Sequence, residues 1–162
     1  MKRPPPYLSV RRLATILAVA ASGILPTLPA MAFELVSHAE MEQEMRDGKP
    51  PKIRTRSVPD QNAPDVDLVL PGKLDGVKAP FPVELRFSAK AGAQIDPASF
   101  KVSYGFLGID LTERIRKAAA VRADGIRAEK VEIPPGNHRL TVRITDSAQR
   151  VGEREIRLTV VE

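Results

Sequence analysis

"PPGNHRLTVRITDS", residues Pro134 to Ser147, decides how the rest of the chain reads. A Pro-Pro-Gly-Asn corner opens it, the composition of a tight turn. Then Leu140, Val142 and Ile144 alternate with Arg139, Thr141, Arg143 and Thr145. Successive side chains of a strand point to opposite faces, so a period of two predicts a strand with one buried and one wet face.

The same rhythm recurs on both sides. Ile156, Leu158 and Val160 alternate with Glu155, Arg157 and Thr159. Upstream, Val66, Leu68 and Leu70 alternate until Pro71-Gly72. Val83, Leu85 and Phe87 alternate with Glu84 and Arg86. The turn signal "DPAS", Asp96 to Ser99, precedes Phe100, Val102 and Tyr104, which alternate with Lys101 and Ser103. Short alternating segments separated by turn residues predict an all-β antiparallel sandwich of about seven strands over residues 65–162. Arg143 is expected to face Glu155 across the last hairpin. Two segments break the rhythm. In "GIDLTERIRKAAA", Asp110 and Glu113 have capping-box spacing, and Leu111, Ile115 and Ala118 share a helical face, so a short bridging helix is expected. In "DGIRAEKVEI", the Asp124-Gly125 turn leads into an apolar phase that slips between Ala128 and Val131, which predicts a bulge or two short strands.

Ile133 to Asp146 resembles the pattern Leu-Pro-Gly-x-Tyr-x-Leu-x-Val-x-Val-x-Asp of bacterial immunoglobulin-like domains and their cadherin-like and fibronectin-like relatives. "DPASFKVSYG" and "GIDLTERI" look like middle strands of such modules. The resemblance covers about residues 65–162 and implies an Ig-like sandwich, a fold that hosts unrelated functions. It also places His138 where such modules often carry a tyrosine, packed in a corner with its polar end on backbone. His138 is therefore expected to be structural. The turn after Asp146 would often hold a glycine; Gln149 stands there, so a wider hairpin, or a glycine displaced to Gly152, is expected.

The N-terminus has the order of a secretory signal peptide. Lys2, Arg3, Arg11 and Arg12 precede the apolar run Leu13 to Leu25, then Pro26, Pro29 and Ala30-Met31-Ala32. Residues 1–32 are read as the signal, with cleavage after Ala32 and a soluble periplasmic or secreted product beginning at Phe33. Removing those four basic residues from 25 leaves 21 against 20 acidic ones. The basic excess that would suggest nucleic acid mostly leaves with the signal, so no nucleic-acid partner is expected. There is no cysteine. Disulfides, thiolate chemistry and a lipidated cysteine are thereby excluded.

Residues 33–47 are expected to hold a short helix, with Ser37 as N-cap and Gly48 and Pro50 as stop. Met41 and Met45 lie four apart on one face. Two readings stay open, a helix docked on the domain and a free arm that binds a partner. Residues 48–64 read as a Pro-rich basic linker whose Lys49, Lys52, Arg54 and Arg56 are either solvated or in contact with anionic lipid.

Candidate chemistry is sparse. The mature chain holds two histidines, His38 and His138, and no serine in a Gly-x-Ser-x-Gly elbow. Asp96, Asp110, Asp124 and Asp146 each read as turn formers or caps before they read as catalytic acids or calcium ligands. Phe87, Phe100 and Tyr104 belong to the core pattern, leaving Phe81 and Phe106 as spare aromatics. No enzyme activity, cofactor or metal is expected. The expected function is an exported, non-catalytic Ig-like module in the cell envelope, structural or binding another envelope protein, with Phe106, Leu107, Met41 and Met45 as candidate contact surface. Two alternatives remain: a glycan-binding module, whose mark would be a polar groove beside Phe81 or Phe106, and an accessory domain of an envelope enzyme.

Overall fold

The computed structural model describes residues 32–50 and 60–162. The expected signal peptide, and Lys52, Arg54 and Arg56 of the linker, lie outside these residues.

Among the described residues nine strands and two helices follow one another: β1 (Phe33–Glu34), α1 (His38–Asp47), β2 (Asp65–Leu70), β3 (Asp75–Lys78), β4 (Phe81–Ser88), β5 (Ile95–Tyr104), β6 (Ile109–Asp110), α2 (Thr112–Ala118), β7 (Gly125–Glu132), β8 (Gly136–Asp146) and β9 (Val151–Val161). They form two sheets, ordered β1-β7-β4-β2 and β3-β9-β8-β5-β6. The chain changes sheet at Pro71-Gly72, after β2, and joins β9 through β3. The fold is an immunoglobulin-like β-sandwich. It is antiparallel except at two edges, where β1 runs parallel to β7 and β3 parallel to β9.

Alternation does what period-two physics requires. In β8, His138, Leu140, Val142, Ile144 and Asp146 are buried, while Asn137 and Arg143 are exposed. Each fully buried aliphatic side chain of this kind contributes about 1.5–3 kcal/mol. Phe81, a spare aromatic in the sequence pattern, is only 5% exposed: it opens β4 opposite Val131 and belongs to the core.

Several local expectations change. The sandwich starts at Phe33 and not at Asp65. Phe33 and Glu34 pair with Val131 and Glu132, the Leu35 N–H donates to the Glu132 carbonyl at 2.9 Å, and Leu35 and Val36 are buried. "DPAS" is a bulge inside β5, not a turn between strands, because β5 pairs with β8 on both sides of it. Asp96 accepts the Ala98 N–H at 2.9 Å, and Arg116 of α2 donates to the carbonyls of Pro97, Ala98 and Phe100 at 3.2, 2.9 and 3.2 Å. Asp110 accepts the Thr112 N–H at 2.8 Å but is not the N-cap, a position held by Leu111. Ala118 is exposed; Ala119 packs instead. The phase slip in β7 is a bulge, with Lys130 at φ +52°. Gln149 adopts the left-handed conformation expected of a glycine, at φ +60°. Gly152 lies in β9 opposite Ile144, so the glycine is not displaced there. Arg143 therefore faces Glu153, at 2.6 Å, and Glu155 pairs with Arg139 and Arg157.

Asp146 anchors this last hairpin. Its buried carboxylate accepts the N–H groups of Ala148 and Arg150, at 2.9 and 3.0 Å, and the Arg150 Nε at 2.8 Å. Burial alone would raise its pKa. The donors from Arg150 and Ala148 outweigh burial and hold it below the ordinary aspartate value. Its contribution is complete above the unfolded pKa and is lost as pH falls through the folded one. Asp146→Asn is therefore expected to lower the thermal midpoint near neutral pH and to flatten its fall in acid, a comparison made by melting both proteins across a pH series.

Candidate functional site

The tetrapeptide Gly105-Phe106-Leu107-Gly108 joins β5 to β6. Both glycines sit at φ +69°, which lets the backbone turn tightly and push the two large side chains outward. Phe106 is 39% and Leu107 41% exposed. This loop is not loose. The Glu44 carboxylate on α1 accepts the Phe106 N–H at 2.5 Å and the Leu107 N–H at 3.1 Å. The Gly105 N–H donates to the Arg139 carbonyl at 2.9 Å. A Cβ at Gly105 would meet the Glu44 carboxyl, so any other residue there would strain the left-handed backbone and displace the Glu44 clamp. The Arg139 guanidinium lies 4.2 Å from the Phe106 ring centroid, a cation–π contact.

Helix α1 is docked rather than free. Ser37 and Glu40 form a reciprocal capping box. Glu40 also receives a two-pronged pair from Arg114 of α2, at 2.6 and 2.7 Å, and Arg114 donates to the Leu35 carbonyl at 3.1 Å. The Arg114 guanidinium, helped by Ser37 and opposed by burial, holds the Glu40 carboxyl down at about 2. Helix α1 has no buried residue of its own. It is held by the buried Leu35 and Val36 just before it and by these two carboxylates.

The structure therefore brings together three of the four candidate contact residues. Phe106 and Leu107 share the loop, and Met45, 69% exposed, lines the same groove as Phe106. Met41 does not join them. It is partly buried, with its sulfur against Gly136. Glu44 and Arg114 were missed from sequence, although Ser37-x-x-Glu40 is itself a capping-box signal.

His138 sits beneath this surface and is 3% exposed. Its Nε2 is 2.7 Å from the Pro134 carbonyl and its Nδ1 is 3.1 Å from the Tyr104 hydroxyl. A carbonyl only accepts, so Nε2 carries the proton and Nδ1 accepts from tyrosine. Burial lowers the His138 pKa, against the pull of the Pro134 carbonyl. Burial, with Glu44 and Glu40 nearby, raises Tyr104 to about 12. Both rings are thus held neutral, with their polar atoms engaged. His38 begins α1 and is exposed. Asp124 is exposed in its turn, while Asp96, Asp110 and Asp146 cap backbone amides. Among the described residues no group of three or more His, Cys, Asp or Glu is arranged to hold a metal, and no helix is long and apolar enough to cross a membrane.

The Glu44 clamp predicts a local effect. In Glu44→Ala the Phe106 and Leu107 amides should exchange with solvent at least about tenfold faster, because opening no longer breaks two charge-assisted hydrogen bonds. Amide exchange followed by NMR reads this directly, with β8 amides as the internal reference.

No family model and no curated protein matches the chain. Among solved structures, it is similar to CopC from Methylosinus trichosporium OB3b, at 20% identity and a TM-score of 0.40, over 60% of this chain and 92% of that one. It is also similar to the endo-beta-1,4-mannanase from Thermotoga petrophila, at 15% identity and a TM-score of 0.44, over 64% and 21%. Fibronectin(III)-like modules of Clostridium thermocellum CbhA match at 17% identity and a TM-score of 0.39, over 60% and 46%. Likeness of this degree says nothing about what the chain binds.

Proposed function

We propose that this chain is an exported, non-catalytic sandwich module that binds another protein of the bacterial envelope through the Gly105–Gly108 loop. The observation that carries the reading is the pinning of an exposed Phe106-Leu107 pair by Glu44. Exposed apolar side chains mark contact surfaces. A loop already ordered by its own fold loses less entropy on binding. Export rests on the three-part N-terminus; cleavage after Ala32 would leave β1 whole. A non-catalytic role is supported by the occupied state of His138 and of the capping aspartates.

The test is capture from envelope extract on immobilised mature protein, beside a Phe106→Ser/Leu107→Ser variant. The expected result is a discrete protein held by the wild type and lost from the variant. Retention by both, or no protein retained, contradicts the reading. An enzyme among proteins lost from the variant would make the chain an accessory domain.

A further inference from the structure

We propose that the groove between the end of α1 and the outward face of β8 and β9 is a binding site for a neutral saccharide. The proposal goes beyond the loop contact and shares only Phe106 with it. The groove is about 520 Å³, within the roughly 300–1,000 Å³ of small-ligand sites.

Its polar groups suit hydroxyls, which donate and accept at once. Asn137 and Thr159 are directly paired across β8 and β9. The Thr159 hydroxyl donates to Asn137 Oδ1 at 2.9 Å, which turns one side of the amide to threonine and leaves its NH₂ as donor. Arg157 spends its Nε on Glu155, at 2.6 Å, and its terminal nitrogens remain as donors. Asp75 on the edge strand β3 supplies an acceptor. The apolar complement is the Phe106 ring on one side and the Met45 thioether on the other, a suitable lining for the C–H face of a sugar ring.

Charge argues against an anionic ligand, and the hydroxyl-suited donors and acceptors give the ligand its class. Arg139 and Arg157 share the Glu155 carboxylate, Asp75 lies in the same groove, and Glu44 is engaged by the loop amides. No cationic excess is left to draw an anion. A groove of similar size, about 530 Å³, lies on the β4–β7 face and lacks this composition. Its Glu84 is paired with Arg86 and Arg127, and its large apolar residues Leu85, Phe87 and Ile126 are buried.

The test is titration of ¹⁵N-labelled mature protein with cellobiose and, separately, with N,N′-diacetylchitobiose, at millimolar concentrations. The expected result is saturable shifts at the Phe106, Asn137 and Thr159 amides with at least one sugar. Asn137→Ala/Thr159→Val and, independently, Asp75→Asn should each weaken binding about tenfold, the equivalent of roughly one hydrogen bond lost. Asp75 is exposed on an edge strand, so its variant folds even if the double variant does not. No saturable shift with either sugar, or shifts unchanged in the variants, overturns the proposal. Protein capture, lost in the Phe106/Leu107 variant, and sugar binding, weakened in the Asn137/Thr159 and Asp75 variants, are separate readouts, so either reading can fail alone.

Discussion

Val36→Asp is expected to remove about 4 kcal/mol from the unfolding free energy of the chain from Phe33 onward, the cost of burying a charge with no partner. Domains of this size hold only about 5–15 kcal/mol in all. Val36 is fully buried, Leu35 is 4% exposed, and the strand before them pairs with β7. The segment is therefore part of the core, not an appendage to it. Urea denaturation of wild type and variant measures the difference. A change below about 0.5 kcal/mol, the range of surface substitutions, would mean that the arm is undocked in solution. For the same reason a truncation starting at Asp65 is a poor probe of binding. It strips β1 from β7 and uncovers Val131 and Ile133, so lost binding could not be told from lost folding.

His138→Phe is expected to cost about 2–4 kcal/mol, because it leaves the Tyr104 hydroxyl and the Pro134 carbonyl buried without their partner. The pH dependence gives a second readout. Burial holds the folded His138 pKa below its ordinary 6.5. As pH falls below that value the unfolded chain takes up the proton first. Stability from this site is thus complete above 6.5 and declines as pH falls through the folded pKa. Glu40 and Asp146, both held low, lose their contributions in more acidic solution, Glu40 progressively as pH falls from its ordinary 4.5 to about 2. Urea unfolding at successive pH values should show a decline below 6.5 in wild type and a flatter profile in the variant. Identical profiles would mean that His138 is not buried neutral.

The long strands were legible because each has one wet face. Leu140, Val142 and Ile144 on β8, and Ile156, Leu158 and Val160 on β9, stand at every second position and are buried in that order. Strand β1 was not legible. Two residues are too few to show a period, and their partners Val131 and Glu132 lie far along the chain. The register of the last hairpin also escaped. It depends on a left-handed Gln149 and on Asp146 binding the turn, so Arg143 meets Glu153 rather than Glu155. "DPAS" carries strong turn chemistry, yet Arg116 from α2 satisfies its carbonyls and lets β5 continue. At the candidate site, Phe106 and Leu107 could be named from their glycine-flanked setting. The carboxylate that fixes them could not, since nothing in the spacing of Glu44 shows which amides it will reach.

The central claim is that the arm of residues 33–47 docks on the sandwich and fixes the loop that carries Phe106 and Leu107. Native-state amide hydrogen exchange on the chain from Phe33 onward tests it most directly. The Leu35 amide, bonded to Glu132, and the Phe106 and Leu107 amides, bonded to Glu44, should be protected far above free-peptide rates. Exchange of these three amides at free-peptide rates, while β8 stays protected, would contradict the docked arm and the pinned loop together.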